Sequence, residues 1–266
     1  MSINAASVGL SHSLNNTVGS LQQQISTGSR INQAKDDPAG LQVSIELSSQ
    51  IRGNNIAMRN SNDGVSALQI AEGGLSSVTD SLQRIRELTV QAGNGTLSNS
   101  DRSALQNEAD QLLEGIRDTI GSSEFNGKSM LKGDEGLNIQ TGADAGEQQG
   151  LRTVDLAAEL ESMDLFKLDL TNPDTSAAFD SLDGALSLAG ELSSEFGASQ
   201  NRLEFGMDSL MNENLNETAA RSRISDTDMA KAISEMSQAQ VKQQAEIAML
   251  GQANSSRGHV LSLLNV

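Results

Sequence analysis

Apolar residues recur along most of this chain at helical spacing. Leu14, Val18, Leu21 and Ile25 step by four, three and four, the a/d seam of a coiled coil. Asp37 precedes Pro38, and the residue before a proline avoids the helical region, so a break is predicted across residues 31–40. A second helix carries Val65, Leu68, Leu75, Val78, Leu82 and Ile85 and stops at Gly93-Asn94-Gly95. Ser98 and Asp101 have the spacing of a capping box. They open a third helix with a stripe of Leu105, Ala109, Leu112, Ile116 and Ile120.

After Gly127 the helical period fades. From about residue 133 to 172 the signal is short and β-like, with Leu137 and Ile139, then Phe166, Leu168 and Leu170, alternating with polar positions. Helical spacing returns with Phe179, Leu182, Leu186, Ala189, Leu192 and Phe196, and continues through Leu203, Met207 and Leu210. Ser225 and Asp228 read as a further capping box that marks a joint. Beyond it Met229, Ile233, Met236, Ile247 and Leu250 keep heptad phase, with Gln240 and Gln243 at the seam positions between them. The fold class expected is mainly α: a long-helix coiled coil or bundle with a small β-hairpin region mid-chain. The terminal helices show one apolar seam each. A lone pair is marginal, so they are expected either to fold when copies associate or to form an ordinary antiparallel bundle.

Composition narrows the function. The chain has no Cys, Trp or Tyr and only five Phe, so its core must be built from small and aliphatic side chains, which suit narrow helix–helix seams. Without Cys there is no disulfide framework, thiolate metal site or cysteine nucleophile. His occurs only at 12 and 259, so neither a zinc-binding HExxH pair nor a histidine-based triad can be drawn, and no catalytic residue, cofactor or metal site is expected. A formal charge of −17 argues against nucleic acid, and no run is long and apolar enough for a membrane span. Residues 1–60 carry a net +1, residues 61–226 a net −18 and residues 227–266 a net zero. The near-neutral ends can crowd against copies of themselves, whereas the middle favours water.

Several separate segments then resemble one family. ISTGSRINQAKDDPAG (25–40), NSNDGVSALQIAEGGL (60–75), LQRIRELTVQAGNGT (82–96) and EFNGKSML (124–131) resemble the N-terminal signature of bacterial flagellin. ARSRISDTDMAKAISEMSQAQVKQQA (220–245) and VLSLL (260–264) resemble its C-terminal signature. The resemblance implies a structural, non-enzymatic subunit that polymerises into the extracellular flagellar filament. Residues 1–39 and 227–266 would form an inner coiled-coil domain, and residues 40–226 a mostly helical outer layer with its hairpin near 133–172. Residues 132–195 leave no room for the variable outer domains that many flagellins insert. The residues expected to carry polymerisation are Leu14, Val18, Leu21 and Ile25, with Ile233, Met236, Ile247, Leu250, Leu261 and Leu264.

The resemblance also implies partners: further copies of the chain, an export chaperone at the C-terminal helices, and the filament cap and hook-junction proteins. It implies export through the flagellar type III channel without a cleaved signal peptide. The alternative within the family is the hook–filament junction adaptor, against which EFNGKSML and ARSRISDTD weigh. A secreted enzyme sharing only the coiled-coil ends would need a catalytic constellation that the sequence lacks. Gln83, Arg84 and Leu88 resemble the surface that vertebrate Toll-like receptor 5 reads. Either Leu88 is an exposed anchor beside Arg84, or Leu88 packs inward while Arg84 and Arg86 pair with acidic neighbours. A glutamate on the next helix completes that surface in recognised flagellins. Alignment of LEGIRD puts Gly115 there with Glu114 one step away, which predicts weakened recognition.

Overall fold

The computed structural model describes the backbone of residues 2–264 apart from 134, 135 and 173, and the side chains of residues 12–256 within that range. Among the described residues, six α-helices run in the order α1 (Ser2–Thr27), α2 (Pro38–Ala92), α3 (Asn99–Ser122), α4 (Leu156–Ser162), α5 (Ser176–Ser225) and α6 (Met229–Leu264). Two antiparallel hairpins lie between α3 and α4: β1 (Glu124–Phe125) with β2 (Lys128–Ser129), and β3 (Leu137–Gln140) with β4 (Gln148–Leu151). The chain divides into two compact units, Met1–Ile51 with Leu215–Val266, and Arg52–Asn214.

The core of the unit Arg52–Asn214 follows the apolar spacing of its helices. Leu68, Ala71, Leu75, Val78, Leu82, Ile85 and Leu88 on α2 meet Ala109, Leu113, Ile116 and Ile120 on α3. Leu182, Ala185, Ala189, Leu192 and Phe196 on α5 complete the cluster. Each buried Leu, Ile or Phe contributes about 1.5–3 kcal/mol. On α3 the stripe passes through Leu113 rather than the expected Leu112, which is only partly buried. Gly64 admits the β3–β4 hairpin to α2, because a Cβ there would sit 3.3 Å from Ile139 and 3.1 Å from Leu203. Asn60 fixes the contact by donating to the carbonyl of Gln140 at 3.1 Å.

The Ser98–Asp101 capping box is present in full, with the Ser98 side chain accepting from the Asp101 N–H and the Asp101 carboxylate accepting from the Ser98 N–H. The Ser98 hydroxyl, which donates to the Asp101 carboxylate at 2.8 Å, and then the Ser98 N–H hold that carboxyl below its ordinary pKa. At the joint before α6 the cap is Asp228, which accepts from the Lys231 N–H at 3.1 Å. Ser225, expected as the partner in that box, ends α5 and donates to Arg221 O instead.

Two boundaries differ from the sequence reading. The first break spans residues 28–37, and Pro38 opens α2, since a proline at the first helical position loses no hydrogen bond there. The hairpin occupies only residues 137–151 of the expected 133–172. Phe166, Leu168 and Leu170 belong to a 3₁₀ turn (Leu165–Lys167) and an extended segment, not to a strand. The segment finds its hydrogen bonds elsewhere: the Gln106 side-chain amide donates to Leu168 O at 2.9 Å and accepts from the Leu170 N–H at 2.6 Å.

A buried cation closes the turn from α2 to α3. Arg102 is 3 % exposed and donates to the carbonyls of Ala92 and, at 3.0 Å, Asn94. These carbonyls lie at the C-terminal end of α2, where a helix leaves acceptors unsatisfied and favours positive charge.

Candidate assembly and recognition surfaces

In the unit Met1–Ile51 with Leu215–Val266, α1 and α6 pack along each other. The α1 seam follows the predicted residues: Leu21 is buried, and Leu14, Val18 and Ile25 are half-buried. On α6 the buried or half-buried stripe is Ala232, Met236, Ala239, Gln243, Glu246 and Leu250, a regular alternation of fours and threes. It shares Met236, Gln243 and Leu250 with the expected seam. Ile233 and Ile247 do not join it, being 48 % and 63 % exposed. The physical reason is size: Ala232 and Ala239 allow a close approach of helix axes that isoleucines in the same places would block. Polar side chains meet in the seam, where Gln243 donates to Asn15 Oδ1. The side chains of Leu261 and Leu264 lie outside the described residues.

The α6 helix therefore keeps apolar surface beyond its seam with α1. Ile233, Val241 and Ile247 are exposed outside the seam, and Met249 is exposed at its edge, lining an open groove with Leu14 of α1.

The two breaks are stitched to each other within the same unit. The Thr227 N–H donates to Gly28 O at 2.9 Å, the Arg30 N–H to Ser225 O at 2.6 Å, and the Arg30 guanidinium to Ile224 O at 2.7 Å. Gly28 has a φ of 70°, in the left-handed region where glycine is at ease. This stitch sets where α1 ends relative to where α6 begins.

The second surface lies on α2 and α3. Gln83 and Arg84 are exposed, whereas Leu88 is 1 % exposed and belongs to the core. The exposed-anchor reading of Leu88 is thereby corrected: it packs inward, and the arginines pair with carboxylates. Arg84 donates to Glu108 at 2.7 and 3.0 Å and to Glu87 at 2.8 Å, and Arg86 pairs with Asp183. The hydrogen bond to Glu108, then that to Glu87, raises the Arg84 pKa above its already high ordinary value.

The glutamate facing Arg84 across the α2–α3 hairpin is thus Glu108, not Glu114 or the Gly115 position. Residues 84 and 108 stand equally far on either side of Thr96, the centre of the connecting turn, and antiparallel helices bring such positions together. Glu114 lies exposed about one and two-thirds turns further along α3, about 9 Å by helix rise.

A model described as the bacterial flagellin N-terminal helical region matches residues 2–135, and one described as the C-terminal helical region matches residues 179–264. A flagellin of Halalkalibacterium halodurans is 42 % identical over 248 residues, covering 91 % of this chain and 90 % of the relative.

This chain belongs to the bacterial flagellin family.

Similar proteins also include a flagellin of Bacillus subtilis, 37 % identical over 276 residues and covering 91 % of each chain. The flagellar filament 30.7 kDa core protein of Treponema maltophilum is 37 % identical over 258 residues, covering 91 % of this chain and 90 % of its own length. Among solved structures, Bacillus cereus flagellin superposes with a TM-score of 0.52 at 28 % identity, over 57 % of this chain and 88 % of that one. A Vibrio parahaemolyticus chain described as a flagellar hook-associated protein superposes with a TM-score of 0.61 over 72 % of this chain and all of that one. At 14 % identity it speaks for the fold alone. The chain thus spans almost the full length of its flagellin relatives and holds their helical ends with a short middle. Among the described residues no group of His, Asp and Glu could hold a metal ion, and no helix is long and apolar enough to cross a membrane.

Proposed function

We propose that this flagellin is the structural subunit of an extracellular flagellar filament, polymerising through its terminal helices. The observation that carries the reading is the apolar surface that α6 leaves exposed around its seam with α1. One face closes on α1 through alanines, while Ile233, Val241, Ile247 and Met249 remain exposed. Alternating fours and threes close the intramolecular seam, and the exposed aliphatic residues around it leave apolar surface for neighbouring copies. The near-neutral ends support this role, since copies can approach without the repulsion that the acidic middle would impose. Export through the flagellar channel, with a chaperone covering α6 beforehand, follows as an expectation of the same reading, as do contacts with cap and hook-junction proteins.

Purified full-length chain added to sheared filament seeds is expected to lengthen them, seen by electron microscopy. A chain lacking residues 227–266 is expected to stay soluble and add nothing. Growth by the truncated chain at the full-length rate would overturn the proposal.

A receptor-facing role for Gln83 and Arg84 is proposed with Glu108 in place of Glu114. Arg84 is held in position by two carboxylates, so a partner meets a preorganised cation. Arg84→Ala is expected to lower activation of a Toll-like receptor 5 reporter by at least about tenfold, the scale of one lost interface anchor. An unchanged dose response would remove the site from this role.

A further inference from the structure

The chain contains four places where glycine follows aspartate or asparagine: Asp63-Gly64, Asn94-Gly95, Asn126-Gly127 and Asp183-Gly184. A glycine has no Cβ to block its own amide nitrogen from approaching the preceding side-chain carbonyl, so each is a point where the chain can attack itself.

The fold sorts these four. Asp63-Gly64 lies inside α2 and Asp183-Gly184 inside α5, where the helical ladder fixes the backbone. Asn126-Gly127 is the two-residue loop of the β1–β2 hairpin, with φ of 51° and 75° and the Phe125–Lys128 pair clamping its ends. Such a loop is locked in the left-handed region. Asn94-Gly95 lies in the exposed turn between α2 and α3, outside any helix or strand, and the Gly95 N–H makes no hydrogen bond among the described residues.

The turn also prepares the Asn94 side chain. Its Oδ1 accepts from the Thr96 N–H at 3.1 Å and from the Thr96 hydroxyl at 3.0 Å. A side chain folded forward in this way closes a ring over the Asn94–Gly95 peptide, the bond whose nitrogen lies one residue on. Two donors on one carbonyl oxygen are the arrangement that stabilises an oxyanion in acyl transfer. Behind the turn, Arg102 holds Asn94 O at 3.0 Å and keeps this backbone in place.

We propose that Asn94 is a self-modification site, converted in the folded protein to aspartate and isoaspartate, with the donors of Thr96 stabilising the reacting carbonyl oxygen. The Gly95 nitrogen attacks Asn94 Cγ. A Cγ–N bond forms, the Cγ–Nδ2 bond breaks, and the proton lost by the Gly95 nitrogen leaves on Nδ2 as ammonia. The product is a five-membered cyclic imide. Water then adds at one of its two carbonyls, opening the ring to aspartate or to isoaspartate. Water is the sole co-reactant.

Modification places a new negative charge beside the C-terminal end of α2, which its dipole disfavours and the Arg102 guanidinium offsets. The isoaspartyl product also lengthens the backbone by one methylene, at the carbonyl that Arg102 holds. A protein that persists outside the cell would accumulate this change with age.

The test is to incubate the full chain at neutral pH and physiological temperature, folded and in denaturant. Asp and isoAsp at positions 94 and 126 are then counted by peptide mass spectrometry and isoaspartyl methyltransferase labelling. In the folded chain Asn94 is expected to react at least about tenfold faster than Asn126, a difference of one decade in rate. In denaturant, where both are Asn-Gly steps in open chain, the two rates should agree within about twofold. Thr96→Val is expected to slow position 94 by about threefold or more in the folded chain, as the loss of an oxyanion donor does. Equal rates at 94 and 126 in the folded protein would overturn the site. A Thr96→Val rate that is unchanged or faster would overturn the role given to Thr96.

Discussion

Replacing Ile233 and Ile247 together by aspartate is expected to abolish filament growth while leaving the helical content of the soluble chain unchanged. Both side chains lie outside the α1 seam, at 48 % and 63 % exposed, so the buried stripe of Ala232, Met236, Ala239 and Leu250 does not include them. If neighbouring copies cover them, each isoleucine contributes about 1–1.5 kcal/mol from the area still open, and each aspartate adds a desolvation cost of about 1 kcal/mol or more. A total near 4 kcal/mol corresponds to about a thousandfold rise in the critical concentration for polymerisation. Ile233→Ala with Ile247→Ala, which removes the apolar contribution alone, should raise it by about tenfold to a hundredfold. Sedimentation of seeded reactions over a concentration series measures this directly. A double aspartate variant that polymerises at the original concentration would show that this face is not the one neighbouring copies use.

Stability should depend most sharply on Arg102. Arg102→Ala is expected to cost about 3–5 kcal/mol, because it leaves the carbonyls of Ala92 and Asn94 without their donor and opens a cavity where a 3 %-exposed side chain stood. For a unit the size of Arg52–Asn214 that is a fall in Tm of about 6–20 °C, readable by calorimetry. Arg102→Lys should recover only part of the loss. A single ammonium is a point donor and cannot span two carbonyls as the guanidinium fork does. A Tm within about 2 °C of the original for the alanine variant would mean that water replaces the guanidinium at no cost.

How far each feature could be read in advance depends on whether one local rule decides it. The helices, the Ser98–Asp101 cap and the α1 seam follow from spacing and side-chain chemistry within a few residues, and they stand as expected. The α6 seam was harder because two heptad phases share Met236, Gln243 and Leu250. A reading that favours bulk chooses Ile233 and Ile247, whereas the packed helix uses the alanines beside them because closeness of backbones matters more than side-chain size there. The alternation of Phe166, Leu168 and Leu170 is real, but alternation says only that a segment is extended. Its hydrogen bonds end on Gln106, sixty-two and sixty-four residues away, a distance no local pattern spans. Glu108 was within reach, since the centre of the α2–α3 turn defines what stands opposite Arg84. Arg102 was not, because a lone arginine on an amphipathic helix reads as solvated.

The Gln106 contact has one more consequence. An extended segment normally presents a row of open amides and carbonyls, to which another copy can add itself as a strand. Here the Leu168 carbonyl and the Leu170 amide are both taken by a side chain that cannot be continued into a ladder. For a protein whose role requires crowding with identical neighbours, this closes one route by which the Leu168–Leu170 segment could pair with another copy.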